Sequence, residues 1–225
     1  MCEPVLTVVI DPDGDAMITL PHPENLAADA GANEQMAVET RFKVSMKHLI
    51  MVSRAKAIFE GNYKESRPSE EDGLYRWKFE PIFDSGAFEI VMRAIHGQTM
   101  QLPKAVSLSE IAEIAAVVDD LNCHQALWFF AKAWIQDLKV SLPRKMCEDV
   151  PRWILVSSVF DEPEVFNSVT KLAILEGKGP FTSELPIWPS IIGMYPTRRL
   201  VLARFESDFV EQSRSTTREK SCLTC

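Results

Sequence analysis

One segment near the start of the chain passes directly from a strand pattern into a helical pattern, and this limits the available folds. Phe42 and Val44 alternate with charged residues, as in a half-buried strand. Lys47-His48-Leu49-Ile50 then begins a short helix, and Ser53 offers a side-chain oxygen to cap a second helix. That helix closes on Ile58-Phe59-Glu60-Gly61. The segment predicts a strand, a helix, a turn and a helix in immediate succession.

Two apolar stretches precede this segment and predict a strand pair with a turn. They run from Val5 to Ile10 and from Ala16 to Leu20, and Asp11-Pro12-Asp13-Gly14-Asp15 separates them. The acidic spacing suggests a calcium loop, but Gly14 falls at the fourth position rather than the sixth, and His22 stands where a bidentate glutamate is needed. Proline, aspartate and glycine favour chain reversal, so we interpret the residues as a turn.

One strand and three amphipathic helices are predicted further along the chain. The strand alternates aromatic with basic residues, and the helices carry N-cap signals or apolar residues at helical spacing. The strand contains Tyr75, Trp77 and Phe79. The first helix has Asp84 or Ser85 as its cap, an apolar face of Phe88, Val91, Met92 and Ile95, and Gly97 at its end. The second begins with a Ser107–Glu110 capping box and carries Leu108, Ile111, Ala115 and Val118, and the third carries Leu127, Phe130, Ala131, Trp134 and Leu138. A small sheet covered by helices, of the α+β class, follows from this order.

The chain beyond Pro143 has a helical pattern without strands. Apolar faces are formed by Trp153, Val156, Ser157 and Phe160, by Phe166, Val169 and Ala173, and by Leu202, Phe205 and Phe209. A proline-rich connector from Pro180 to Pro196 precedes the last of them. We predict one domain over residues 1–140 and a helical C-terminal extension over residues 141–225 with a frayed tail.

Composition narrows the classes of partner and compartment. The net charge of −8 argues against broad attachment to nucleic acid or anionic lipid, so a protein partner is expected. The sequence has no apolar run near the roughly 20 residues that span a bilayer, and three aspartates lie where a signal peptide would be apolar. Five scattered cysteines do not suggest a disulfide scaffold. We predict an intracellular protein, cytoplasmic or nuclear, with reduced thiols.

The sequence contains no recognisable arrangement for catalysis, cofactor binding or metal binding. His48 lacks a nucleophile in a known motif, and no phosphate-binding glycine loop occurs. His124 beside Cys123 has no companion ligands. The terminal Cys222-Leu223-Thr224-Cys225 fits neither a complete zinc site nor a prenylation signal. We therefore predict no enzyme activity, no catalytic residue, no metal and no cofactor.

Four blocks of sequence resemble BTB/POZ domains, especially fungal ones. They are FKVSMKHL, IFEGNYKES, AFEIVMRAIHGQ and SLSEIAEIAAVVDDLNC, and the resemblance covers most of residues 1–140. It implies a short sheet against a cluster of helices, and the C-terminal part resembles a reduced form of the helical region that follows many such domains. One departure is Arg54-Ala55-Lys56, where the family often has a proline and then an aromatic or aliphatic pair.

The resemblance implies an interaction module that forms a homodimer or scaffold. BTB domains commonly pair through their first strand and helices, which here implies an interface with Val8, Ile10, Leu49 and Met51. The alternative is a substrate adaptor of a cullin-based ubiquitin ligase. In such adaptors an apolar residue, any residue and a glutamate contact the cullin scaffold, and Tyr63 and Glu65 match those positions.

Overall fold

A computed structural model describes residues 6–21, 39–177 and 185–187 of the chain. These residues contain one mixed four-stranded sheet and seven α-helices, so the α+β prediction is confirmed. The strands are β1 (Leu6–Val9), β2 (Ala16–Pro21), β3 (Glu39–Val44) and β4 (Tyr75–Lys78). The helices are α1 (Met46–Leu49), α2 (Ser53–Phe59), α3 (Ser85–Ile95), α4 (Leu108–Leu121), α5 (His124–Leu138), α6 (Asp149–Val159) and α7 (Pro163–Glu176).

The strand order is β1-β3-β2-β4, so the first two strands are not neighbours. Strand β3 lies between them, parallel to β1 and antiparallel to β2, and β4 runs parallel to β2. The prediction of a strand pair over residues 5–20 is therefore wrong in its pairing. The physical reason is that β3 buries Thr40, Phe42 and Val44 and bonds through its backbone on both sides, which makes it a central strand.

Residues 11–15 form a turn that also ties the sheet to the first helix. Asp11 Oδ1 accepts the N–H of Asp13 at 3.0 Å, which confirms the turn interpretation. Asp15 Oδ1 accepts the N–H of Met46 at 2.7 Å, at the start of α1. A Cβ atom on Gly14 would lie 2.5 Å from the carbonyl oxygen of Val44. Glycine is therefore required where the turn passes β3.

An aromatic cluster joins the sheet to the helices in the first part of the chain. The rings of Phe42 and Phe79 each lie 5.2 Å from the ring of Phe88, and Trp77 lies 4.4 Å from Phe79. The predicted apolar face of α3 is buried, and so are the predicted α4 residues Ile111, Ala115 and Val118. These contacts place the core between one face of the sheet and the helices.

Two of the three predicted helix caps form as expected. Asp84 accepts the N–H of Ala87 at 2.8 Å, and Ser107 and Glu110 form the reciprocal capping box. Gly97 ends α3 with a φ of +71°, as predicted. The cap from Ser53 is wrong: Val52 is the N-cap and Ser53 is already the first helical residue, so no side-chain bond closes that end.

The chain divides into two compact units. The first comprises Met1–Leu142 together with Leu155–Glu162, and the second comprises Pro143–Ile154 and Pro163–Cys225. The predicted faces of α6 and α7 are buried, except that Phe166 is half-buried. The predicted last helix with Leu202, Phe205 and Phe209 lies outside the described residues, as does the tail with Cys222 and Cys225. The described ranges contain no helix that is long and apolar enough to cross a membrane.

Candidate protein-interaction site

Strand β1 forms one edge of the sheet and carries exposed apolar side chains. The exposed fraction is 61% for Leu6 and 49% for Val9, and Val8 is half-buried opposite Phe42. In the described part of the chain β1 pairs only with β3, so its outer backbone groups face no strand. Such an edge is a template for pairing with another chain.

The other three residues of the predicted dimer surface differ sharply in exposure. Ile10 and Leu49 are only 1% exposed, while Met51 is 81% exposed. Ile10 donates its backbone N–H to the carbonyl of Lys43 and continues the sheet, and Leu49 is the buried residue of the short helix α1. Ile10 and Leu49 therefore belong to the core of this chain, and Val8 and Met51 are the members that reach the surface.

Tyr63 and Glu65 lie together at the turn after α2. Tyr63 is 60% exposed and precedes a 3-10 turn, Lys64–Ser66. The hydroxyl of Ser66 donates to the carbonyl of Tyr63 at 2.6 Å and holds the turn. The Glu65 side chain is 20% exposed, and its carboxylate lies 3.8 Å from the ammonium of Lys64. The turn therefore presents an exposed aromatic ring, and the largely buried carboxylate of Glu65 follows it two residues later, close to Lys64.

Gly61 supports the position of the Tyr63 ring, and sequence reasoning assigned it no such role. A Cβ atom on Gly61 would lie 2.8 Å from Cδ2 of Tyr63 and 2.5 Å from the carbonyl oxygen of Ala57. The Tyr63 ring therefore packs over Gly61, and any larger residue at position 61 would force the ring or the backbone of α2 to move. The signal that could have found it is a glycine immediately after a helix and two residues before an exposed aromatic.

The rings of His48 and His96 lie against each other at an interplanar angle of 38° and join α1 to the end of α3. Their ring centroids are 4.9 Å apart. His96 Nδ1 lies 2.7 Å from the carbonyl of Met92, and Nε2 accepts the N–H of Ser45 at 3.0 Å, which together require a proton on Nδ1 of a neutral ring. Burial and the nearby His48 lower the pKa of His96, against the opposing effects of the Met92 bond and Asp11. The His96 ring thus bonds a carbonyl in the last turn of α3.

The ring of His48 is held differently from that of His96. Its Nδ1 atom is buried and has no hydrogen-bond partner in the described part of the chain. The ring is instead held by its contact with His96. The pair acts as packing between two helices, with no nucleophile bonded to either ring among the described residues.

A comparison with protein-family models, curated proteins and solved structures found no match to this chain. The candidate site therefore rests on the geometry alone.

The departure from the family pattern at Arg54-Ala55-Lys56 has a structural counterpart. Ala55 is buried, and the guanidinium of Arg54 lies 5.7 Å from the ring centroid of Phe79 and 6.0 Å from that of Trp77. Arg54 also forms an ion pair with Asp120 on α4. Burial raises the pKa of Asp120, and the charge of Arg54 opposes that rise. The polar start of α2 thus packs on the aromatic cluster.

Cys123 and Glu162 have structural roles, whereas the free thiol of Cys147 is exposed. Cys123 is buried, and burial raises the pKa of its thiol to about 12, so it is not a thiolate at neutral pH. Glu162 receives ion pairs from Lys132 and Lys139, both at 2.7 Å, which lower its pKa although partial burial alone would raise it. No cluster of three or more potential metal ligands occurs among the described residues.

Proposed function

We propose that this chain is a non-enzymatic protein-interaction module that self-associates through a BTB/POZ-like N-terminal domain and acts inside the cell. The order of elements supports this: three strands, two helices, a strand and three helices by residue 138. That order agrees with what the four resembling sequence blocks imply. Dimerisation or scaffolding is the leading role.

The observation that carries the proposal is the exposed apolar edge at β1. Leu6 and Val9 are exposed, and the strand contains no proline and no charged residue to block an approaching strand. A second copy of the chain, related by a two-fold axis, would cover the same patch on both molecules. Met51 provides a further exposed apolar side chain for such a contact.

Light scattering at micromolar concentration tests this proposal. We expect the parent chain to show the mass of a dimer, and a Leu6→Lys/Val9→Lys variant to show the mass of a monomer, because two charges would be buried unpaired at the contact. The matched control is Met100→Lys/Val140→Lys, which also adds two charges, at side chains that are 96% and 94% exposed on other segments, and should stay dimeric. A monomer mass for the parent would rule out the homodimer.

The second candidate is a cullin adaptor, and the exposed Tyr63, followed two residues later by Glu65, favours it. A tyrosine ring can fill a shallow apolar groove on the partner while the carboxylate pairs with a basic side chain at its rim. In a pull-down with the purified N-terminal domain of a cullin, we expect Tyr63→Ala and Glu65→Arg each to weaken capture by about tenfold or more.

The control for this pull-down is Glu60→Arg, which makes the same charge change at the end of α2, close in sequence to the tyrosine. Its capture should equal that of the parent. Capture of Glu65→Arg at the parental level would remove the adaptor proposal and leave the homodimer proposal standing.

A further inference from the structure

The sheet has a second face, turned away from the aromatic cluster, and this face is basic. Its residues alternate with the buried ones along three strands. Its central residues, which we call the outer sheet face, are Met17 and Thr19 of β2, Arg41 and Lys43 of β3, and Arg76 and Lys78 of β4. The same side of the sheet also carries Glu39 at the start of β3 and Thr7 and Val9 of β1. All six central residues are half-buried or exposed, whereas their neighbours Ile18, Phe42 and Trp77 are buried.

The strand register arranges these six side chains in two rows across the sheet. One row is Lys43, Met17 and Arg76, and the other is Arg41, Thr19 and Lys78. The cations thus form two columns on either side of the uncharged strand β2. Adjacent strands are about 4.8 Å apart and alternate residues about 7 Å apart, so the columns are separated by roughly 10 Å and the charges within each by about 7 Å.

This concentration of positive charge is unusual for the molecule, because the whole chain has a net charge of −8. Two of the four cations already bind carboxylates of the same chain. Arg41 donates from Nε and Nη2 to Glu39 at 3.0 and 2.6 Å, and Arg76 pairs with Asp72 at 2.5 Å.

Lys78 is exposed. Within the described residues it has no carboxylate within 4 Å, and Lys43 donates there only to the carbonyl of Pro12. The face therefore accommodates carboxylates and has unused capacity for more.

We propose that the outer sheet face binds an extended acidic segment of a partner protein, with carboxylates at alternate positions. An extended peptide repeats its side chains on one side about every 7 Å, which equals the spacing of the cations along β3 and β4. Laid over β2, such a segment places its backbone on Met17 and Thr19 and its carboxylates beside the two columns.

The observations favour an acidic peptide over nucleic acid. A nucleic acid brings a long run of phosphates, and the acidic remainder of this chain would repel most of them. Four cations within about 10 Å match only a few carboxylates. The β3 column of this surface adjoins Thr7 and Val9 of the β1 edge, whereas the β4 column lies on the other side of β2. The inference goes beyond the proposed dimer, and variants of the β4 column test it without changing the β1 edge.

Fluorescence polarisation with the full chain tests the proposal. The probe is a labelled peptide of about ten residues that alternates glutamate and threonine, and its matched control alternates glutamine and threonine. At low salt we expect the glutamate peptide to bind the parent and the glutamine peptide not to bind. Charge reversal in Arg76→Glu/Lys78→Glu should weaken binding by about tenfold or more.

Two further variants separate the face from general charge and from misfolding. Lys104→Glu/Lys171→Glu makes the same change in net charge at exposed sites elsewhere and should bind as the parent does. Lys78→Gln removes one exposed ammonium that holds no ion pair in the described residues, and should weaken binding by about threefold with an unchanged melting temperature.

Three results would overturn the proposal: equal binding of the glutamine peptide, equal weakening by the Lys104→Glu/Lys171→Glu control, or tighter binding of a single-stranded oligonucleotide of matched charge. The light-scattering mass of Arg76→Glu/Lys78→Glu should equal that of the parent. A failure of peptide binding with the dimer intact would therefore reject the outer sheet face and leave the proposed function untouched.

Discussion

At the scale of single residues, the His96 side chain joins two elements, and it can do so only while its ring is neutral. Its ring donates from Nδ1 to Met92 within α3 and accepts at Nε2 from Ser45 before α1. Protonation of Nε2 would place a donor against the N–H of Ser45 and bring a positive charge beside His48. The described charged group that opposes this is Asp11, which favours the charged ring.

We expect the free energy of unfolding to fall as the pH drops below about 6.5. The pKa of folded His96 is lowered from 6.5, so the unfolded chain binds this proton more readily and acid favours unfolding. Urea titrations at several pH values between 7.5 and 5 measure how steeply the free energy of unfolding changes with pH. For one histidine this slope is at most about 1.4 kcal/mol per pH unit. His96→Gln should flatten it and His124→Gln should not. An unchanged slope in His96→Gln would contradict the assignment.

At the scale of elements, α2 joins both the sheet and α4 through Arg54. The guanidinium lies between the aromatic rings of the sheet side and the carboxylate of Asp120. A cation that faces rings and a half-buried carboxylate at once connects three elements with a single side chain. The polar start of α2 is therefore compatible with a packed domain.

Arg54→Ala should lower the free energy of unfolding by about 2 kcal/mol at neutral pH, because Asp120 then stays half-buried without its cation. Burial already raises the pKa of Asp120, and loss of Arg54 raises it further. A carboxyl with a raised folded pKa destabilises the fold above that pKa, so the loss should shrink as the pH falls toward 4. Denaturant unfolding at both pH values measures this.

The control for Arg54→Ala is Lys56→Ala, an exposed neighbour whose loss should cost less than about 0.5 kcal/mol. The double variant Arg54→Ala/Asp120→Ala should recover part of the stability lost in Arg54→Ala. Additive losses in the double variant would show that the two residues do not interact.

At the scale of the whole molecule, the first compact unit is not continuous in sequence. Residues Leu155–Glu162 belong to it although Pro143–Ile154 belong to the second unit. Within the first unit Glu162 accepts from Lys132 and Lys139, and Leu155, Val156 and Phe160 are buried. A single boundary near residue 140, as sequence patterns indicate, therefore separates residues that the structure groups together.

A chain that ends at Leu142 should be less stable than the full chain by about 4 kcal/mol or more. It loses several buried apolar side chains at roughly 1.5–3 kcal/mol each, together with the carboxylate that pairs with Lys132 and Lys139. Thermal unfolding followed by circular dichroism compares the two chains. Full-length Phe160→Ala, which removes one of these side chains, should fall between them. Equal melting temperatures for the shortened and full chains would contradict the division into units.

The sequence by itself determined the local elements and their buried faces. Alternation predicted β3 and β4, and helical spacing predicted the buried faces of α3 to α7. Asp84 predicted the cap of α3, and Ser107 with Glu110 predicted that of α4. These features depend on residues only a few positions apart. The sequence also identified Tyr63 as a candidate contact, and that residue lies on the surface.

Only the tertiary structure decided the pairings between distant residues. These pairings join segments that lie far apart along the chain. They include the insertion of β3 between β1 and β2, the burial of Ile10 and Leu49, the contact of His48 with His96, and the two rows of the outer sheet face. Such contacts form because the whole core must exclude water and satisfy its backbone groups at once, and no local pattern records that condition.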